Sequence, residues 1–183
     1  MQHKTMSDVF KPMIGWRWPA AALGVSAVML GAAHYFEEVE NLYPCPLCLR
    51  QREVYWALIA MAGVGLALWA WRPTPRFIEG LNILVGLVFV TGAGVALYHM
   101  GVEVGWFPSG CATLPPQAAA DAALDPDLGL EAAQATSSCS EIPWSFLGLS
   151  MAGWNALISS ALAFVSFSVA RETDRETRRL ATL

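Results

Sequence analysis

Residues 77–98 read FIEGLNILVGLVFVTGAGVALY, with Glu79 the only formal charge and Asn82 close behind it. This run decides the class of fold. At about 1.5 Å per residue, a helix of this length covers about 30 Å, the thickness of a bilayer's hydrocarbon core. Three more runs repeat the pattern: 18–36, with no formal charge; 54–71, ended by Arg72 and Pro73; and 146–170, followed by RETDRETRR. No run alternates as a half-buried strand would, and there is no internal repeat. Helices are expected because lipid leaves every backbone group to be satisfied within its own segment. Of the 183 residues, 55% are hydrophobic and 14% are charged, against about 25% charged in soluble domains. Mean hydropathy is +0.43. The expectation is an all-α membrane protein, a four-helix bundle forming a single domain over 1–183. A net charge of −4 with no basic stripe argues against a nucleic-acid partner.

Basic residues orient the bundle. Lys4, Lys11, Arg17, Arg72, Arg76, Arg171, Arg175, Arg178 and Arg179 all fall on one side of a four-span chain, nine of the eleven present. The positive-inside rule puts both termini and the turn 72–76 in the cytoplasm, and the loops 37–53 and 99–145 outside. The second of these loops holds no Lys or Arg from 100 to 145, while Glu103, Asp121, Asp125, Asp127, Glu131 and Glu141 make it acidic. Trp16, Trp18, Trp69 and Trp71 are expected at the inner interface, and Trp106 and Trp144 at the outer one. A cleaved signal peptide is the alternative for the first run, which ends in Gly31, Ala32 and Ala33. The run is long for that purpose, and removing it would leave an odd number of spans.

All four cysteines then face outward. In bacteria that compartment is oxidising, so disulfides form and persist there. Cys45 and Cys48 make a Cys-x-x-Cys inside YPCPLCLRQREVYW (43–56), where a loop enters a helix. Pro44 and Pro46 suit that entry, because neither position needs an amide donor. A helix N-terminus also stabilises a thiolate through its free N–H groups and dipole. Arg52 stands one turn beyond Cys48 on roughly the same face. A guanidinium at the outer edge of a span runs against the orientation rule and needs a partner, for which a thiolate or a polar cofactor oxygen is a candidate. Arg50 reads as a side chain reaching lipid phosphate. Glu37, Glu38 and Glu40 would oppose a thiolate if they lay close to it.

Metal chemistry fits poorly, because Cys111 and Cys139 are far apart in sequence rather than a second tight pair. Leu49 follows Cys48, so the haem-attachment pattern is missing too. No phosphate loop, Ser/His/Asp set or carboxylate pair is present in the sequence, which leaves dithiol and disulfide chemistry.

CPLCLRQR (45–52), the Cys pair in a long second outer loop, and CSEIPWSFLGLSMAGWN (139–155) together resemble the bacterial disulfide-bond formation protein B family, DsbB. The resemblance spans most of the chain, with Cys139, Trp144, Phe146, Gly148 and Trp154 in its second motif. It implies an inner-membrane enzyme that reoxidises a periplasmic DsbA-like thiol oxidase and passes two electrons to a membrane quinone, ubiquinone or menaquinone. In that scheme the reduced partner attacks the Cys111–Cys139 disulfide at Cys111. Cys139 then attacks Cys45, and Cys48 is freed as a thiolate against the quinone. The resemblance also puts Arg52 beside the quinone and His99 near the same site, where an ordinary interfacial imidazole is the competing reading. His3 and His34 carry no assignment. DsbA's potential of about −120 mV lies beyond thiol buffers, and a strongly oxidising lipid-soluble acceptor could supply the drive.

Between Cys111 and Cys139, the Ala-, Pro- and acid-biased segment 112–138 reads either as a short amphipathic helix over 118–130, limited by Pro126, or as a tether. Gly63, Gly65, Ala67, Gly86, Gly92 and Gly94 permit close helix approach. The tail after Ala170 reads as a solvated helix end or as disorder. Two other classes compete. A vitamin K epoxide reductase-like quinone oxidoreductase would carry its loop Cys pair before the C-x-x-C, the reverse of this order. A non-enzymatic scaffold would use its disulfides only as braces.

Overall fold

A computed structural model describes residues 14–108 and 138–182. Four long helices dominate it: α1 (Arg17–Glu38), α2 (Pro46–Trp71), α3 (Pro75–Glu103) and α4 (Met151–Ala181). Each is long and apolar enough to cross a membrane. The protein is an all-α, multi-pass four-helix membrane protein. Its core is a seam where all four helices meet, through Ala22 and Leu30 of α1, Tyr55, Leu58 and Ala62 of α2, Val85 and Phe89 of α3, and Ala163 of α4. The contact between α3 and α4 is the most extensive in the bundle.

Small residues allow that closeness. A Cβ on Gly86 would meet the Phe167 ring at 3.0 Å and the Ser166 Cβ at 3.1 Å. One on Gly92 would meet Val54 at 3.2 Å. Gly65 backs onto Leu81, whereas Gly94 faces open space and plays no packing part. Gly86→Leu is therefore expected to cost about 1–3 kcal/mol in thermal unfolding of the full chain in detergent. Gly94→Ala is expected to change stability by no more than about 1 kcal/mol.

The helix ends differ from the apolar runs in ways that matter for the site. α2 starts at Pro46, well before Val54, because Cys45 caps it: the Cys45 Sγ accepts the Cys48 N–H at 3.2 Å while Pro46 fills the first turn. The polar turn CLRQRE is thus helical, and hydropathy alone does not register it. α3 continues to Glu103, so His99 lies within the helix and Glu103 is not a loop residue. The helix closes where Gly105, at φ +77°, lets Trp106 N–H return to the Gly101 carbonyl at 2.8 Å.

α4 begins only at Met151, capped by Ser150, whose Oγ accepts the Gly153 N–H at 3.1 Å. The residues just before it form a two-stranded antiparallel hairpin, β1 (Ser145–Phe146) and β2 (Leu149–Ser150). Leu147 and Gly148 both have positive φ, at 52° and 79°, as a two-residue hairpin turn of this twist requires. At its other end α4 runs through the charged tail to Ala181, supported by one-turn pairs such as Arg178 with Asp174 at 2.8 Å. Trp18 does not face outward from the bundle. It is buried, and its Nε1 donates to Ser166 Oγ at 2.9 Å, tying α1 to α4.

Candidate active site

The capped start of α2 brings the chemistry together. Cys45 and Cys48 are free thiols with sulfurs 2.8 Å apart. Cys45 is buried and packs with Val102, Leu47 and Cys139 in one cluster. Cys139 is fully buried and disulfide-bonded. Cys111 and the segment 112–137 lie outside the described residues. The hydrogen bond from the Cys48 side chain holds the Cys45 thiol far below its ordinary value, at about 4. Burial opposes this shift, and hydrogen bonds from His99 and the Cys48 N–H reinforce it. In the dithiol, then, the helix N-terminus serves the thiolate of Cys45 rather than that of Cys48. Alkylation of reduced Cys45, followed by mass spectrometry, is expected to keep its full rate from pH 9.0 down to about 5 and to decline only near and below about 4.

Cys48 packs against the same cluster and also lines a cavity of about 440 Å³. Arg52, Gln51, Tyr55, His99 and Asn155 line it alongside Cys48. So does a run of aromatic rings: Phe36 packs on Trp144 at 5.3 Å, Trp144 on Phe146 at 6.1 Å, and Phe146 on Trp154 at 6.2 Å. The hairpin orients this wall, because Trp154 Nε1 donates to the Phe146 carbonyl at 3.0 Å. Arg52 does not reach out to lipid. Its side chain is only 14% exposed, it forms an ion pair with Glu37, and its Nη2 donates to the Ala33 carbonyl at 3.1 Å. Glu37 therefore does not oppose a thiolate as a bare charge would, because Arg52 neutralises it. Arg50 instead pairs with Glu53 at 2.8 Å, and both are exposed.

His99 joins the cysteines to the bundle interior. Its Nε2 lies 3.6 Å from Cys45 Sγ and 3.9 Å from the buried carboxylate of Glu103, and its ring is also hydrogen-bonded to the Cys139 backbone. Ser150 donates to the same Glu103 carboxylate. On its Nδ1 side the ring meets Gln51 at 2.8 Å. Gln51, Tyr55, Glu103, Asn155 and Ser159 were missed by motif reading. Polar residues at i and i+4 in apolar spans, as in Gln51/Tyr55 and Asn155/Ser159, were the available signal.

Cys45, Cys48 and His99 offer three donor atoms within 4.8 Å of one another. Two thiolates on one tetrahedral zinc would stand about 3.8 Å apart. The observed 2.8 Å is too close for that.

The sequence that builds this site has counterparts among known proteins. Disulfide bond formation protein DsbB is the family that matches, over residues 16–169. The chain belongs to the DsbB family. Relatives named disulfide bond formation protein B include that of Marinobacter nauticus, 33% identical over 79% of this chain and 85% of its own length. That of Nitrosospira multiformis is 33% identical over 82% and 89%. That of Mannheimia succiniciproducens is 34% identical over 81% and 82%. No solved structure matches the chain. Membership of the DsbB family places the protein in disulfide bond formation, as an oxidoreductase.

Proposed function

We propose that the protein is a thiol:quinone oxidoreductase of the bacterial inner membrane, with both termini cytoplasmic and its cysteine loops periplasmic. It reoxidises a DsbA-like dithiol partner and delivers the two electrons to a membrane quinone. One observation carries the proposal: Cys45 packs against Cys139 while Cys48, one helical turn on, opens into a cavity with Arg52 and the aromatic wall of Phe36, Trp144, Phe146 and Trp154.

Electrons move by thiol–disulfide exchange. The partner's thiolate attacks Cys111 and releases Cys139 as a thiolate. Cys139 attacks Cys45 of the closed Cys45–Cys48 pair, and the electron pair of the broken S–S bond leaves on Cys48. The partner's second thiol completes its own disulfide. The Cys111 thiolate so released attacks Cys139, which re-forms Cys111–Cys139 and frees Cys45. The Cys45/Cys48 dithiol then holds both reducing equivalents at the cavity, and its two-electron oxidation back to the disulfide restores the start. A quinone accepts two electrons and two protons to become the hydroquinone. The cavity suits such a flat ring: its volume falls within the range of about 300–1,000 Å³ typical of small-molecule sites, and its wall is aromatic. Arg52 contributes N–H donors and positive charge where negative charge develops on the acceptor oxygen. His99 and Cys48 complete the polar side.

The test is a mixture of the full chain in lipid nanodiscs, a reduced DsbA-like protein and ubiquinone or menaquinone, followed by quinone absorbance. One quinone reduced per partner dithiol is expected. No reduction of either quinone, with all four cysteines intact, overturns the proposal.

A further inference from the structure

Five buried side chains from three helices form one hydrogen-bonded chain that ends on Cys45. On α4, Ser159 Oγ donates to Asn155 Oδ1 at 3.2 Å, and Tyr55 Oη from α2 donates to the same oxygen. With its oxygen so occupied, Asn155 turns its Nδ2 to donate to Gln51 Oε1. Gln51 is left with only its Nε2 group to meet His99 Nδ1, at 2.8 Å. An amide NH₂ donates and cannot accept, so Nδ1 must be the acceptor and carries no proton. The ring proton of neutral His99 therefore resides on Nε2, 3.6 Å from Cys45 Sγ. His99, Gln51 and Asn155 are 4%, 7% and 6% exposed, which shields these bonds from bulk water.

We infer that Asn155 and Gln51 are positioning residues whose amides fix His99 as the Nε2–H tautomer, so that the ring presents a donor to the Cys45 sulfur. The inference deepens the proposed function by assigning the control of the sulfur that receives Cys139. The tautomer rests on the amide orientations of Asn155 and Gln51. The other groups facing His99 and Cys45 are Cys48, Glu103, the Cys139 backbone and, one turn further along α2, Arg52. Ser150 holds the Glu103 carboxylate, which stands farther from Nε2 than the sulfur does. An Nε2 that keeps its proton also has no lone pair for a metal ion.

The experiment uses the full chain in nanodiscs with the Cys45–Cys48 pair reduced and histidine labelled with ¹⁵N, the His99 signals being assigned by their loss in His99→Gln. The Nε2–H signature is expected for His99 near neutral pH. An Nδ1–H or imidazolium signature overturns the inference, and this wild-type spectrum decides even if every variant fails to fold. In Asn155→Leu and Gln51→Met, the single tautomer is expected to be lost. The midpoint for Cys45 alkylation is expected to rise by about one pH unit, with no change in rate at high pH where the thiol is ionised regardless. Variants that fold and retain both the wild-type signature and the midpoint would show that the amides do not position the ring. Neither readout uses a quinone or a partner protein, so a failed quinone assay with a correct tautomer sinks the proposed function alone.

Discussion

Cys48→Ser is expected to abolish quinone reduction by a reduced dithiol partner, with a loss on the order of a thousandfold or more, as befits removal of the reacting nucleophile. The substitution is gentle to the fold. Position 48 keeps the backbone N–H that caps onto Cys45, and a serine hydroxyl can still donate to that sulfur. What disappears is the sulfur facing the cavity. Exchange between the partner and the Cys111/Cys139 pair is expected to continue, because it precedes the step that needs Cys48. Trapping the partner on Cys111 by acid quench and non-reducing electrophoresis checks that half, and quinone absorbance checks the other. Residual quinone reduction near the wild-type rate would remove Cys48 from the electron path.

Arg52→Ala is expected to lower kcat/KM for the quinone by about 10²–10³, the usual cost of losing a preorganised charge at a developing anion. Arg52→Lys is expected to fall between. A lysine keeps the positive charge, but it lacks the planar fork that lets one side chain engage Glu37 and the Ala33 carbonyl together. Steady-state rates over a range of quinone concentrations separate the variants, and thiol exchange with the partner serves as the control that should not move. An Arg52→Ala enzyme with unchanged kcat/KM would reduce the residue to a brace between α2 and α1.

The four spans and the helix entry at the Cys-x-x-Cys were legible in the sequence because each rests on a strong local signal. Long uncharged runs specify membrane helices, and Cys45 between Pro44 and Pro46 marks a helix start. The helix boundaries were less legible. α2 begins in a polar turn that hydropathy discounts, α3 carries His99 and Glu103 beyond its apolar run, and the hairpin before α4 depends on two positive-φ residues inside an apolar stretch. Side-chain pairing across helices was not legible at all. Nothing local tells Arg52 that its partner is Glu37, or links Gln51 to Asn155 across 104 positions. Those pairings follow from how the helices face one another.

A photoactivatable azido-quinone, applied to membranes holding the full chain and mapped by mass spectrometry, tests most directly whether an acceptor sits against Cys48. The label is expected on 29–36 of α1 and on 143–155, segments that line the cavity, and unlabelled quinone should compete it away. Labelling confined to 94–98 of α3, in the separate groove formed by Ala57, Gly94, Val95 and Tyr98, would contradict the account.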